Sequence, residues 1–178
     1  HWVIDNAPML GVDAAKVTIA GESGGGNLSI ATTMRLKSAG ELGLIQGLYA
    51  LCPYIAGEWP LPQHPSSTDN EGILLALHSN SGRMGYGIEA FDAKDPMAWP
   101  SFATAADVAD FPPTVISVNE CDPLRDEGIE FYRLLLEAGV PARCRQVMGT
   151  AHGTEIFPMM CTEISRDTAR DLAAFALG

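Results

Sequence analysis

The period of the apolar positions changes several times along the chain, and each change marks an element. Residues 17–20, Val-Thr-Ile-Ala, form a short apolar run of strand length that leads straight into Gly21-Glu22-Ser23-Gly24-Gly25-Gly26. From Asn27 the spacing predicts a helix, with Leu28, Ala31 and Met34 on one face, Arg35 and Lys37 near its C-terminus and Gly40 as its stop. Residues 44–51 predict a second strand, closed by Cys52-Pro53, and 114–118 a third. A helix over about 126–138 follows, ended by Gly139 and Pro141. In 142–147 apolar and charged residues alternate and half the positions are polar, which predicts a fourth strand near a sheet edge. The last helix is expected over roughly 155–176, with Ile164, Thr168, Leu172 and Phe175 on one face. Upstream, 2–10 reads as the end of an amphipathic helix.

Strands alternating with helices predict βαβ units and a parallel sheet flanked by helices. Between the second and third strands this rhythm breaks. Residues 57–112 hold six prolines, with Pro53 and Pro113 at the borders, and carry Trp59 and Trp99. They predict an irregular excursion with one helix around 73–90.

Composition narrows the class. At 178 residues, 47% hydrophobic and 19% charged, the chain has the balance of one globular domain. A net charge of −11 disfavours nucleic acid as a partner. No apolar run is long enough for a membrane span, and the first residues lack the pattern of a signal peptide. Cys52, Cys121, Cys144 and Cys161 match neither a metal-ligand nor a disulfide-scaffold spacing, so buried thiols in a cytoplasmic, reducing compartment are expected. Cys121, although beside Asp122, is expected to be packing rather than a redox handle.

The chemistry starts at Gly21-Glu22-Ser23-Gly24-Gly25, a G-x-S-x-G set between a predicted strand and a predicted helix, which is the context a nucleophile elbow requires. So sharp a turn needs small residues two before and two after the serine, a demand Gly21 and Gly25 meet. The Gly24 N–H would stand at a helix N-terminus, where an oxyanion is favoured. Glu22 is expected to support the elbow by hydrogen bonding. An ordinary glycine-rich turn is the plainer reading, but no dinucleotide or P-loop pattern is present.

A serine needs a base, and the base needs an acid to orient it, in the chain order Ser, Asp or Glu, His for such an elbow. His1 precedes Ser23, and His64 and His78 fall in the excursion. His152, between the fourth strand and the last helix and followed by Gly153, is the candidate base. The loop after the third strand offers Asp122, held by Pro123, as the candidate acid, with Asp126 as the alternative. Asp126 and Glu127 are expected in the first turn of the following helix, where acids complement its dipole. Ile156, Phe157, Met159 and Met160 are expected to pack the last helix into the core, with an acyl pocket as the alternative.

Gly21-Glu22-Ser23-Gly24-Gly25-Gly26-Asn27, Asp95-Pro96 with Ala98-Trp99-Pro100, Asp122-Pro123-Leu124-Arg125-Asp126-Glu127-Gly128 and His152-Gly153 together resemble the hormone-sensitive-lipase-like branch of the α/β-hydrolases. The resemblance runs over nearly the whole chain. It implies an α/β-hydrolase fold and a serine carboxylesterase acting on small-molecule esters through an acyl-enzyme, with Ser23, His152 and Asp122 as its triad. Relatives often carry alanine where Gly24 stands. No metal or organic cofactor is implied. A peptidase or amidase, or a ligand-binding member that no longer turns over, are the competing functions, and association with a second copy stays open.

The family completes its oxyanion hole with an upstream H-G-G-G-type loop, and none precedes Ser23 here. Residues 1–178 are therefore expected to be the C-terminal portion of a catalytic domain. The missing N-terminal segment of the same hydrolase would be its partner, and the strand at 17–20 would be left with one bare edge. Without that segment, turnover is expected to be weak.

Overall fold

The computed structural model describes residues 1–77 and 81–178. His78 lies outside the described residues, as does part of the helix expected around 73–90. Four strands, β1 (Thr18–Glu22), β2 (Gly47–Leu51), β3 (Thr114–Cys121) and β4 (Ala142–Ala151), form one sheet in the order β1-β2-β3-β4. Every pairing is parallel, so all four C-terminal ends emerge along the same edge of the sheet. That edge is where open α/β sheets gather ligand-binding side chains.

Three long helices cover the sheet: α1 (Gly24–Ser38), α2 (Arg125–Glu137) and α3 (Thr162–Leu177). Successive strand residues point to opposite faces, and the strands are apolar on both. Leu48, Ala50, Ile116 and Val118 pack with Ile30 and Met34 of α1 and Phe131 and Leu135 of α2. Their neighbours Tyr49, Leu51 and Val115 face the other way, onto Leu172 and Phe175 of α3. The result is a three-layer α/β/α arrangement with its main core under α1 and α2.

The third and fourth strands and the first helix run longer than the local pattern predicts. Helix α1 starts at Gly24, directly after the serine, and buries Asn27, Ile30, Thr33 and Met34. Of the face expected from Leu28, Ala31 and Met34, only Met34 is buried, and Leu28 is 53% exposed. Helix α3 starts at Thr162, because 154–156 form a separate 3-10 turn. Ile156, Phe157, Met159 and Met160 are all exposed, which corrects the expectation that they pack into the core: the break between the turn and α3 carries them away from the sheet.

The excursion holds only short helices among the described residues, including Ser81–Tyr86 and Ile88–Asp92. Gly87, at φ 117°, separates the two and prevents one continuous helix. It builds a second small core from Trp59, Trp99, Ala56, Ala98, Leu77 and Leu124. Tyr54 stacks at a ring-centroid distance of 4.4 Å from Trp59. β4 is an edge strand, as its mixed composition predicts, and β1 pairs only with β2 among the described residues. No helix among the described residues is long and apolar enough to cross a membrane.

Candidate active site

Ser23 joins β1 to α1 with φ 56° and ψ −117°, a conformation that is costly for a residue with a side chain. Its surroundings hold it there. The Ser23 N–H donates to the Leu51 carbonyl at 2.9 Å, and the Ser23 carbonyl accepts from the N–H groups of Asn27 and Tyr54, both at 3.1 Å. Buried Asn27 adds a clamp, its Nδ2 donating to the carbonyls of Tyr54 and Ala98 at 2.9 Å each.

The steric demand of the turn falls on particular glycines. A Cβ at Gly21 would stand 2.1 Å from the Gly25 carbonyl oxygen, and one at Gly26 would stand 3.0 Å from Pro53 Cα. A Cβ at Gly25 would meet nothing within 4 Å. Close approach of α1 to the Leu51-to-Pro53 backbone thus makes Gly26 the second tight position, in place of Gly25. As the first residue of α1, Gly24 has no acceptor for its N–H within the helix, and that dipole end favours negative charge.

His152 follows β4 directly. Opposite the Asn119 to Cys121 stretch, β4 runs from Val147 to Ala151, an irregularity that inserts extra residues and turns the strand end. There the imidazole meets two of the other candidates: Nε2 lies 2.9 Å from Ser23 Oγ, and Nδ1 lies 2.9 Å from Asp122 Oδ2. An ionised Asp122 can only accept, so Nδ1 carries the proton and Nε2 is left to accept from the serine hydroxyl. Asp122 is fully buried, and its Oδ1 accepts the Leu124 N–H at 2.9 Å.

The remaining acids of the segment after β3 have other partners. Asp126 accepts from the Ser66 N–H at 2.8 Å and from Arg125 Nε at 2.9 Å. Glu127 is buried and accepts from the N–H groups of Ile55 (2.8 Å) and Ala56 (3.1 Å) and from Trp59 Nε1 (2.7 Å), tying α2 to the excursion. Burial pushes its carboxyl up to about 8 against those three donors. The helix-dipole expectation for Glu127 is therefore too small a role.

Two further acids surround the imidazole. Glu22 Oε1 is 3.3 Å from His152 Nε2, so this side chain faces the imidazole rather than bracing the turn. Burial raises the Glu22 carboxyl, His152 opposes that rise, and Glu155 and Asp122 add to it. Glu155, which local pattern places in the last helix, is buried in the 154–156 turn and accepts from Asn119 Nδ2 at 2.6 Å and Cys52 Sγ at 3.5 Å. Burial disfavours the charged imidazole, but the hydrogen bond and charge of Asp122, with the charges of Glu22 and Glu155, outweigh it, and His152 is raised from the ordinary histidine value. The Cys52 thiol is pushed well up, by burial first and then by Asp122 and Glu155, so it stays a donor. Cys52, Asp122 and His152 offer atoms within 4.8 Å of one another, but the last two are bonded to each other, so the cluster reads as a hydrogen-bonded relay.

Beside Gly24 opens an apolar cavity of about 260 Å³ lined by Leu28, Tyr54, Tyr86 and Trp99. Exposed Leu28 thus has a place in a cavity wall, and Trp99, expected only to pack the excursion, does both. Of the residues nominated from sequence, the structure brings together Ser23, Gly24, Glu22, His152 and Asp122. Glu155, Asn119 and Cys52 gave no local signal.

Comparison with known proteins bears on the fold and on the activity class of its relatives. Esterase Est22 superimposes with a TM-score of 0.98 at 66% identity, covering 99% of this chain and 52% of that one. Brefeldin A esterase, a bacterial homologue of human hormone-sensitive lipase, gives a TM-score of 0.90 at 41% identity, covering 98% and 50%. Carboxylesterase NlhH of Mycobacterium tuberculosis is 29% identical over 176 residues, 98% of this chain and 54% of its own length. The chain spans about half the length of the curated relatives it matches. With residues 1–156 matching the model of that family, the chain belongs to the alpha/beta hydrolase fold family.

Proposed function

We propose that the protein is a serine carboxylesterase that cleaves small uncharged acyl esters through an acyl-enzyme. Ser23 is the nucleophile, His152 the base and then the acid, and Asp122 the group that orients it. The reading is carried by the unbroken line from Asp122 through His152 to Ser23, with both links at 2.9 Å. Names among its relatives, esterase Est22 and carboxylesterase NlhH, support the same activity class. Within this reading residues 1–178 are the C-terminal part of the catalytic domain, and the four free thiols support a cytoplasmic setting.

Each step has an owner. Ser23 Oγ attacks the ester carbonyl carbon as its proton passes to His152 Nε2, and the imidazolium that forms is stabilised by Asp122. Negative charge gathers on the former carbonyl oxygen, where the Gly24 N–H donates, and one such donor is typically worth roughly 100- to 1000-fold in rate. His152 returns the proton to the departing alkoxide and the acyl group stays on Ser23. Water, deprotonated by the same imidazole, then releases the acid and restores the serine. The cavity beside Gly24 has room for one small apolar group.

Esterase Est22 has been solved with p-nitrophenol, which makes p-nitrophenyl esters of graded acyl length a natural assay. The natural protein is expected to hydrolyse the short esters and to be labelled at Ser23 by a fluorophosphonate, and Ser23→Ala is expected to lose both. No labelling of the folded natural protein would defeat the hydrolase reading. Labelling with cleavage of anilides but not esters would make it an amidase.

A further inference from the structure

Glu155 has no part in the steps above, yet it is a carboxyl group 5% exposed within the layer that holds the imidazole. Its Oε2 accepts from Asn119 Nδ2 at 2.6 Å, and its Oε1 from Cys52 Sγ at 3.5 Å. Both neighbours are donors, so the group is matched in its ionised form. The same Asn119 amide donates to the Ala151 carbonyl at 2.7 Å, one residue before His152. Glu155 is therefore tied to the strand end from which the imidazole projects.

Charge points the same way. Among the described residues, the titratable groups facing His152 are Glu22 from β1, the Cys52 thiol after β2, Asp122 after β3 and Glu155 from the turn after β4. Among them only the imidazole can carry a positive charge. A buried carboxylate is costly without a compensating partner, and here that partner is a group that becomes positive only when it takes a proton.

We propose that Glu155 is a positioning residue for His152: through Asn119 it fixes the strand end at Ala151, and its buried charge favours the imidazolium that forms when Ser23 gives up its proton. The rate part of this inference rests on the esterase reading, and the proton-affinity part does not. Asp122 and Glu22 act on the imidazole directly, whereas Glu155 acts through Asn119 and through its charge.

The test is an NMR titration of the His152 imidazole in the natural protein and in Glu155→Gln, which keeps the size and removes the charge. It is run beside kcat and KM for p-nitrophenyl acetate over the same pH range. The titration is expected to move down by about half a pH unit or more in Glu155→Gln, with the acid limb of kcat following it. Asn119→Ala keeps the charge but unties Ala151, and is expected to lower kcat about tenfold while KM changes less than about twofold. An unmoved titration in Glu155→Gln overturns the charge role. An unchanged kcat in Asn119→Ala overturns the positioning role, and this arm stands even if Glu155→Gln does not fold. A shifted titration in a protein without Ser23-dependent hydrolysis supports the proton-affinity inference and sinks the esterase reading instead.

Discussion

Asp122 and Asp126 lie four positions apart, yet their carboxylates serve different ends: Asp122 Oδ2 stands 2.9 Å from His152 Nδ1, whereas Asp126 Oδ2 accepts the Ser66 N–H at 2.8 Å. One turn of chain separates a group aimed at the imidazole from one that fastens the excursion. Substitution to asparagine should therefore split the two. On the proposed mechanism Asp122→Asn is expected to cut kcat by up to about 10⁴-fold, because the imidazole loses its tautomer and its counter-charge. Asp126→Asn should leave kcat within a few-fold and cost about 1 kcal/mol of stability, read from urea midpoints. Equal kcat losses in the two variants would contradict the assignment.

The raised proton affinity of His152 has opposite consequences for rate and stability. The folded state binds the proton more tightly than an unfolded histidine does, near pH 6.5, so this contribution to stability is full below about that pH. It is lost as pH rises through the folded-state value. If His152 is the base, as proposed, activity needs the neutral imidazole and is expected to rise through the same window. Profiles of kcat/KM and of urea midpoints across it are expected to run in opposite directions, and His152→Asn should remove this part of the stability slope.

Gly21 and Gly25 frame the serine but tolerate different things. Gly21→Ala places a methyl group 2.1 Å from the Gly25 carbonyl oxygen and is expected to abolish activity or folding. Gly25→Ala meets open space among the described residues and replaces glycine inside a helix. It should keep activity and gain up to about 1 kcal/mol. Thermal melts with an ester assay separate the two, and an inactive but well-folded Gly25→Ala would reverse this ranking.

Glu127 holds the excursion to α2 through three N–H groups at a buried position. Glu127→Ala removes the acceptor of all three and is expected to cost about 3 kcal/mol, with tryptophan fluorescence reporting a changed environment of Trp59. A loss below about 1 kcal/mol would mean that water replaces the carboxyl group freely.

Much of the fold was legible because its signals are local. Apolar runs of strand length, helical spacing in 126–138 and the glycine-rich turn at Ser23 depend on neighbours within a few positions, and the four parallel strands follow from their alternation with helices. Ser23, Asp122 and His152 could be nominated because each follows a strand, and parallel strands bring those ends to one edge. The long excursion was not legible in the same way. Its cohesion comes from Trp59, Trp99 and Glu127, far apart in the chain and joined only by packing and hydrogen bonds.

By itself the sequence determined which residue types stand at the ends of β1, β3 and β4, and hence the family resemblance. Only the tertiary structure decided which side chains surround the imidazole. Glu155, Asn119 and Cys52 come from three separate segments, and nothing in their own neighbourhoods marks them. It also moved the tight glycine from Gly25 to Gly26 and left Met159 and Met160 in solvent. The reason is physical: periodicity encodes which face of an element is buried, whereas the partner of a buried polar group is set by where distant elements come to rest.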